Sequence, residues 1–151
     1  MKAFTAACAQ FAVVPNEPAA NVAACVTWIR RAAQENGAQL IVLPETITTG
    51  FTPRMSAEAL WDLMDTLPGR WSEPIQQAAR DLSVHVVFAT YERGPTRGVV
   101  FNAAALIGPG AMSWAFIVKP TSSPQSAAAA AGGARQGASL ASSAPTWGAL
   151  A

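Results

Sequence analysis

The chain has 151 residues, a formal net charge of +1, and 13% charged against 51% apolar residues. That length suffices for one domain with a sizeable core, and the near-neutral balance argues against a nucleic acid or an anionic membrane surface as partner. No apolar run approaches the roughly 18–20 residues needed to span a bilayer. The opening Met1-Lys2-Ala3-Phe4-Thr5 is too short for a signal peptide, so the expected location is cytoplasmic.

Ala3–Val13 is small, apolar and extended, which predicts a strand buried on both faces. Asn16-Glu17-Pro18 offers a cap and an early proline for a helix running to about Asn36, where Gly37 supplies the left-handed stop. Val22, Val26, Ile29 and Ala33 share one face of that helix; Arg30 and Arg31 lie off it on a solvated side. Gln39–Leu43 predicts a second strand, parallel to the first if the helix is a crossover. Leu60–Met64 and Glu73–Leu82 read as helices separated by Leu67-Pro68-Gly69. Val84–Thr90 and Val99–Ile107 predict two more strands. Gly108-Pro109-Gly110 is a turn, and Ser113–Val118 is a candidate fifth strand returning beside the fourth. Alternating β and α with a late hairpin gives an α/β layered sheet.

The composition breaks near Gly110. All nine acidic residues lie between Glu17 and Glu92, and none follows. Residues 120–151 are dominated by Ala, Ser, Gly, Pro and Thr. Such a stretch holds too little large apolar surface to offset its ordering entropy, so the expected organisation is a partial domain over 1–119 and a disordered, low-complexity tail over 120–151.

The inventory of reactive groups is short. Cys8 and Cys25 make no disulfide framework and no CxxC pair, and His85 is the sole histidine. A histidine-based zinc site or a Ser-His-Asp triad is therefore not expected, and any chemistry must run on carboxylate, lysine or thiol. Cys8, inside the first strand, is expected to pack as a small hydrophobe; Cys25 belongs to the first helix. Trp61, Trp71 and Trp114 read as packing residues, and His85 as a packed or rim histidine.

Glu45 stands out because it follows Leu40-Ile41-Val42-Leu43-Pro44 directly, just past the carboxyl end of a buried strand, where open α/β sheets bind ligands. Pro44 keeps the preceding backbone extended. A Pro-Glu pair taken alone is more often a solvated loop. What raises it is the order of segments around it. Ala7-Cys8-Ala9-Gln10-Phe11, a helix, Gly37 through Thr46, and Thr49-Gly50-Phe51 together resemble the opening of the nitrilase superfamily of carbon–nitrogen hydrolases. So does Val87–Glu92 leading into Val100-Phe101-Asn102-Ala103-Ala104-Ala105-Leu106-Ile107-Gly108-Pro109. The likeness covers about the first 109 residues.

That resemblance implies a four-layer α-β-β-α sandwich, of which this chain would hold the N-terminal half, and a Cys-Glu-Lys site supported by a second glutamate. It implies a thiolate attacking a nitrile or amide carbon, a glutamate as general base and a lysine stabilising the tetrahedral intermediate. No metal or organic cofactor is implied; the partners implied are a small amide or nitrile and further copies of the chain in a homo-oligomer. Glu45 matches the general base. Lys119 lies where the lysine is expected, but Ile117-Val118-Lys119-Pro120-Thr121-Ser122 replaces the family's Tyr-Arg-Lys, small residue, His, Leu, and a lone lysine at a strand end is more often a solvated tip. The nucleophilic cysteine and the second glutamate have no counterpart, so the chain as given is expected to be inactive.

Back-translation of Gly110–Ser126, read one nucleotide earlier, permits Gly-His-Val-Leu-Gly-Val-Tyr-Arg-Lys-Thr-His-Leu-Phe-Pro-Thr-Glu. The single codons of Met112 and Trp114 constrain that reading. That reading resembles the family's hairpin and lysine segment, and a one-base shift near Gly110 would account for the loss of acidic residues and the alanine-rich tail. The alternative is a non-catalytic binding or regulatory module that pairs with an intact hydrolase and whose tail is an authentic linker.

Overall fold

The computed structural model describes residues 3–51 and 54–110, and the backbone of 116–120. Its elements are β1 (Ala6–Cys8), α1 (Pro18–Asn36), β2 (Leu40–Val42), α2 (Ala57–Leu63), α3 (Glu73–Leu82), β3 (His85–Arg93), β4 (Val100–Ile107) and β5 (Phe116–Pro120). Residues Ser113–Ala115 of the expected fifth strand, Trp114 among them, and the expected tail beyond Pro120 lie outside the described residues, whereas the expected turn at Gly108-Pro109-Gly110 is present as a bend.

One mixed sheet runs in the order β1-β2-β3-β4-β5. β1, β2 and β3 are parallel, and β3-β4-β5 continue as antiparallel neighbours. Parallel neighbours need a crossover: α1 joins β1 to β2, and the segment containing α2 and α3 joins β2 to β3. The α/β class and the late hairpin are as the sequence predicts.

Pro18 occupies the first turn of α1, and Gly37 ends it at φ 64°, its N–H bonded to the Ala33 carbonyl at 3.1 Å. The expected side-chain cap at the start is not made. Glu17 is the capping residue and contributes no side-chain bond, while Asn16 sits at φ 59° with its N–H on the Thr49 carbonyl. The entry to α1 is thus spent on tying this corner to the loop after β2. α2 begins at Ala57 rather than Leu60 because Ser56 caps it, its hydroxyl accepting from Ala59 N at 3.1 Å.

α1 and α3 lie on one face of the sheet. Val22, Cys25 and Ile29 of α1 and Ile75, Ala78 and Ala79 of α3 form one buried cluster with Ile41, Val86, Phe88, Ala103, Ala105 and Ile107. Removing each large side chain of that cluster from water contributes about 1.5–3 kcal/mol.

The other face is different. In-register pairing puts Ala6 and Cys8, Leu40 and Val42, His85, Val87, Ala89 and Tyr91, and Asn102, Ala104 and Leu106 on a common side. Of these only Ala89 counts as buried; the rest are exposed or half-buried. This corrects two expectations. The first strand is three residues long instead of spanning Ala3–Val13, and it is not buried on both faces: Ala6 and Cys8 are exposed and only Ala7 is turned toward the helix-side core. Cys8 accordingly does not pack as a small hydrophobe; it is exposed on the uncovered face of an edge strand. Alternation along a strand sends every second residue to whichever side exists, and among the described residues this side is covered only at the Val100 end of β4, where α2 packs.

A second small core, Leu60, Met64 and Val100, seats α2 against β4. Trp61 and Trp71 pack as the sequence suggests, each indole N–H satisfied by a backbone carbonyl: Gly94 at 2.8 Å and Leu63 at 3.2 Å. Arg93 lies over the Trp61 ring, 4.5 Å from its centroid. Among the described residues no helix is long and apolar enough to cross a membrane.

Candidate active site at the end of β2

β2 delivers the chain to Glu45 through Leu43, whose N–H bonds to the Val87 carbonyl at 3.0 Å, and through Pro44. The loop that follows is not a solvated excursion. Thr46, Ile47, Thr48 and Thr49 are all buried, at 1% exposure or less. Ile47 N–H bonds to the Ala89 carbonyl at 3.0 Å, so the loop is laced to β3. Thr48 and Thr90 share a hydroxyl–hydroxyl bond of 2.6 Å beneath it. Asn21 of α1 completes the clamp. Its amide N donates to the Thr48 carbonyl at 2.9 Å and to the Val14 carbonyl at 2.7 Å, and its oxygen accepts from Val14 N–H at 2.8 Å.

Thr46, immediately after Glu45, has φ 48°. A β-branched residue in the left-handed region carries about 1–3 kcal/mol of strain, which persists only where the surroundings enforce it. Here the enforcing contacts are the N–H groups of Thr49 and Gly50, both on the Thr46 carbonyl, and the Thr46 hydroxyl on the Glu45 carbonyl at 2.8 Å. The backbone is wound so that Glu45 alone of residues 45–49 is exposed.

The Glu45 carboxylate meets β4. Asn102 Nδ2 donates to Glu45 Oε1 at 2.7 Å. Asn102 is paired in register with Tyr91 of β3 on one side and with Lys119 of β5 on the other. The Tyr91 hydroxyl donates to the Phe51 carbonyl at 3.1 Å and closes the far end of the loop. Burial, and after it the negative charge of Glu45, push the Tyr91 phenol above its ordinary value.

Glu45, Tyr91, Asn102 and the Lys119 position therefore lie together at one end of the uncovered face. Glu45 and the Lys119 position both neighbour Asn102: Glu45 accepts its hydrogen bond, and Lys119 is the residue opposite it on β5. Cys8 is on the same face at the far edge strand, and Cys25 is buried under α1, where burial pushes its thiol up to about 12. Cys25 is sealed in the helix-side core, and β2 and β3 stand between the strand of Cys8 and the strand of Asn102, the partner of Glu45. Among the described residues no group of three His, Cys, Asp or Glu side chains is placed to hold a metal ion.

Sequence reasoning missed Asn21, Tyr91 and Asn102 as parts of this site. For Asn102 there was a signal: it is a lone polar residue in an otherwise apolar strand, Val100–Ile107. For Asn21 there was none, since an asparagine on a helix face says nothing of a partner 27 residues on.

The carbon-nitrogen hydrolase family matches residues 5–117. A nitrilase from Pyrococcus abyssi is 32% identical over 94 residues, which is 62% of this chain and 34% of that protein. Among solved structures, a carbon-nitrogen hydrolase from Helicobacter pylori superposes with a TM-score of 0.59 at 16% identity, covering 79% of this chain and 40% of that one. A CN-hydrolase superfamily protein from Xanthomonas campestris, solved with an arsenic adduct in its active site, gives 0.56 at 23% identity, covering 74% and 38%. The chain thus spans about a third of the curated relative's length and about two fifths of these structures. With the family matched over most of its length, this chain belongs to the carbon-nitrogen hydrolases of the nitrilase superfamily.

Proposed function

We propose that these residues form the general-base half of a thiol-dependent hydrolase acting on an amide, nitrile or carbamoyl compound, with Glu45 as the base. The observation that carries this reading is the presentation of Glu45: a carboxylate exposed at a strand's carboxyl end, on a buried and strained loop, with Oε1 fixed by Asn102. In the complete site Glu45 takes the proton of a cysteine thiol, and the thiolate adds to the substrate carbon. Lys119 is the candidate cation for the charge that develops there. For an amide the carboxyl returns that proton to the departing ammonia or amine; for a nitrile the thioimidate first formed takes up one water before ammonia leaves. A water then attacks the thioester, giving its proton to the same carboxylate, which passes it to the departing thiolate as the acid is released.

The nucleophile of that scheme is not Cys8 or Cys25, so it comes from sequence outside these 151 residues. The uncovered sheet face is then the surface on which the second half of a four-layer sandwich packs. Removing the nucleophile of a comparable covalent site costs on the order of a millionfold in rate. The 151-residue chain is accordingly expected to turn over no member of a panel of short aliphatic and aromatic amides and nitriles. Joining it to a downstream half that carries the cysteine should produce activity that Glu45→Gln abolishes. Turnover by the chain alone, or a joined enzyme indifferent to Glu45→Gln, would sink the proposal.

The same uncovered face favours a second reading, in which the chain pairs with an intact hydrolase without doing chemistry itself. Co-purification with a full-length homologue from cells expressing both would support it; a well-dispersed monomer under those conditions would oppose it.

A further inference from the structure

Asn102 is the one side chain among the described residues that bonds to the Glu45 carboxylate. It comes from a different strand, 57 residues away, and the register fixes where it stands: between Tyr91 of β3 and the Lys119 position of β5, all three on one side of the sheet. Its neighbours along that side of β4, Ala104 and Leu106, are apolar. A polar residue interrupting such a row, with its amide on the one exposed carboxylate of the loop, is not explained by packing.

We propose that Asn102 is the positioning residue of Glu45, resting on the reading of Glu45 as the base. A carboxylate has two oxygens and no donor of its own when ionised, whereas a carboxamide donates through nitrogen and never titrates in the working range. The bond from Nδ2 to Oε1 therefore holds the carboxylate without competing for the proton it must accept. It leaves Oε2, which accepts no hydrogen bond among the described residues, turned to whatever enters the site. A glutamate otherwise rotates about three side-chain bonds. Fixing one oxygen at 2.7 Å removes most of that freedom before substrate arrives. An arginine or lysine at 102 would hold the same oxygen but add a charge beside the Lys119 position, and a serine would not reach as far. Asparagine fits both the distance and the neutrality.

The test uses the full 151-residue chain, labelled in its asparagine and glutamate side chains and observed by NMR. In the unsubstituted chain the Asn102 carboxamide protons are expected to exchange with water more slowly than those of Asn36, which is exposed at the end of α1. Glu45→Ala should abolish that difference. Asn102→Ala, and independently the near-isosteric Asn102→Asp, which lacks the donor, should convert the Glu45 side chain from one rotamer to an average of several. The backbone spectrum and melting temperature should stay as in the parent, a combination that a merely structural role for Asn102 would not give. A Glu45 side chain that averages equally with Asn102 present, or remains fixed when Asn102 is removed, would overturn the proposal. The readout needs no turnover, so it stands or falls separately from the hydrolase reading, which the activity of the joined enzyme decides.

Discussion

Replacing Asn21 by alanine should unfasten the Glu45 loop and cost more than any single contact on the surface. Asn21 is 1% exposed and makes three hydrogen bonds, two to Val14 and one to the Thr48 carbonyl. Val14 is half-exposed at 51%, so its N–H and carbonyl can be rehydrated at a cost near the net value of a hydrogen bond, about 0.5–1.5 kcal/mol each. Thr48 is fully buried, and its carbonyl would be left without Asn21, a loss of about 1–3 kcal/mol. The sum is about 2–6 kcal/mol, and water entering the vacated space would bring it toward the lower end. Against a whole-domain stability of about 5–15 kcal/mol, that is a large fraction. Urea unfolding followed by tryptophan fluorescence should show the midpoint of Asn21→Ala falling sharply at an unchanged slope. Asn21→Asp, which keeps the acceptor for Val14 N–H and loses both donors, should fall nearly as far. Glu45 should also become mobile, since the clamp beneath its loop is gone. A loss below about 0.5 kcal/mol would refute the reasoning, because it would mean that the buried Thr48 carbonyl needs no partner.

Other expectations follow from the same structure. Phe88→Ala, on the helix-covered face at 0% exposure, should cost about 3–5 kcal/mol, whereas Leu106→Lys on the uncovered face should cost little and reduce self-association; similar losses from both would contradict a one-sided sheet. A thiol reagent should titrate one cysteine, Cys8, in the folded chain and two in denaturant. Cys25 is raised from 9.0 to about 12 by burial, so the unfolded state loses its thiol proton first. Stability from this group is therefore full below pH 9 and is lost as pH rises toward about 12, a slope that Cys25→Ala should remove. Sequencing the coding DNA from Ile107 onward should show that a one-base change restores Tyr-Arg-Lys-Thr-His followed by a downstream glutamate and cysteine. If no such frame exists, the tail is authentic, and the pairing module becomes the reading to pursue.

The sequence by itself determined whatever is encoded within a few residues of chain. Pro18 and Gly37 bracket α1, alternating segments announce the α/β class, and Leu40 through Glu45 mark a strand ending on a carboxylate. These are local matters of backbone freedom and periodicity, readable without knowing what lies opposite. The tertiary structure alone decided which face of the sheet is covered, and so why Ala3–Val13 shortens to Ala6–Cys8 and why Cys8 is exposed. It also decided that Asn21 clamps Thr48 and that Asn102 grips Glu45. Those pairings join residues 27 and 57 positions apart, where strand register and helix docking set the distance and no short-range pattern carries the information.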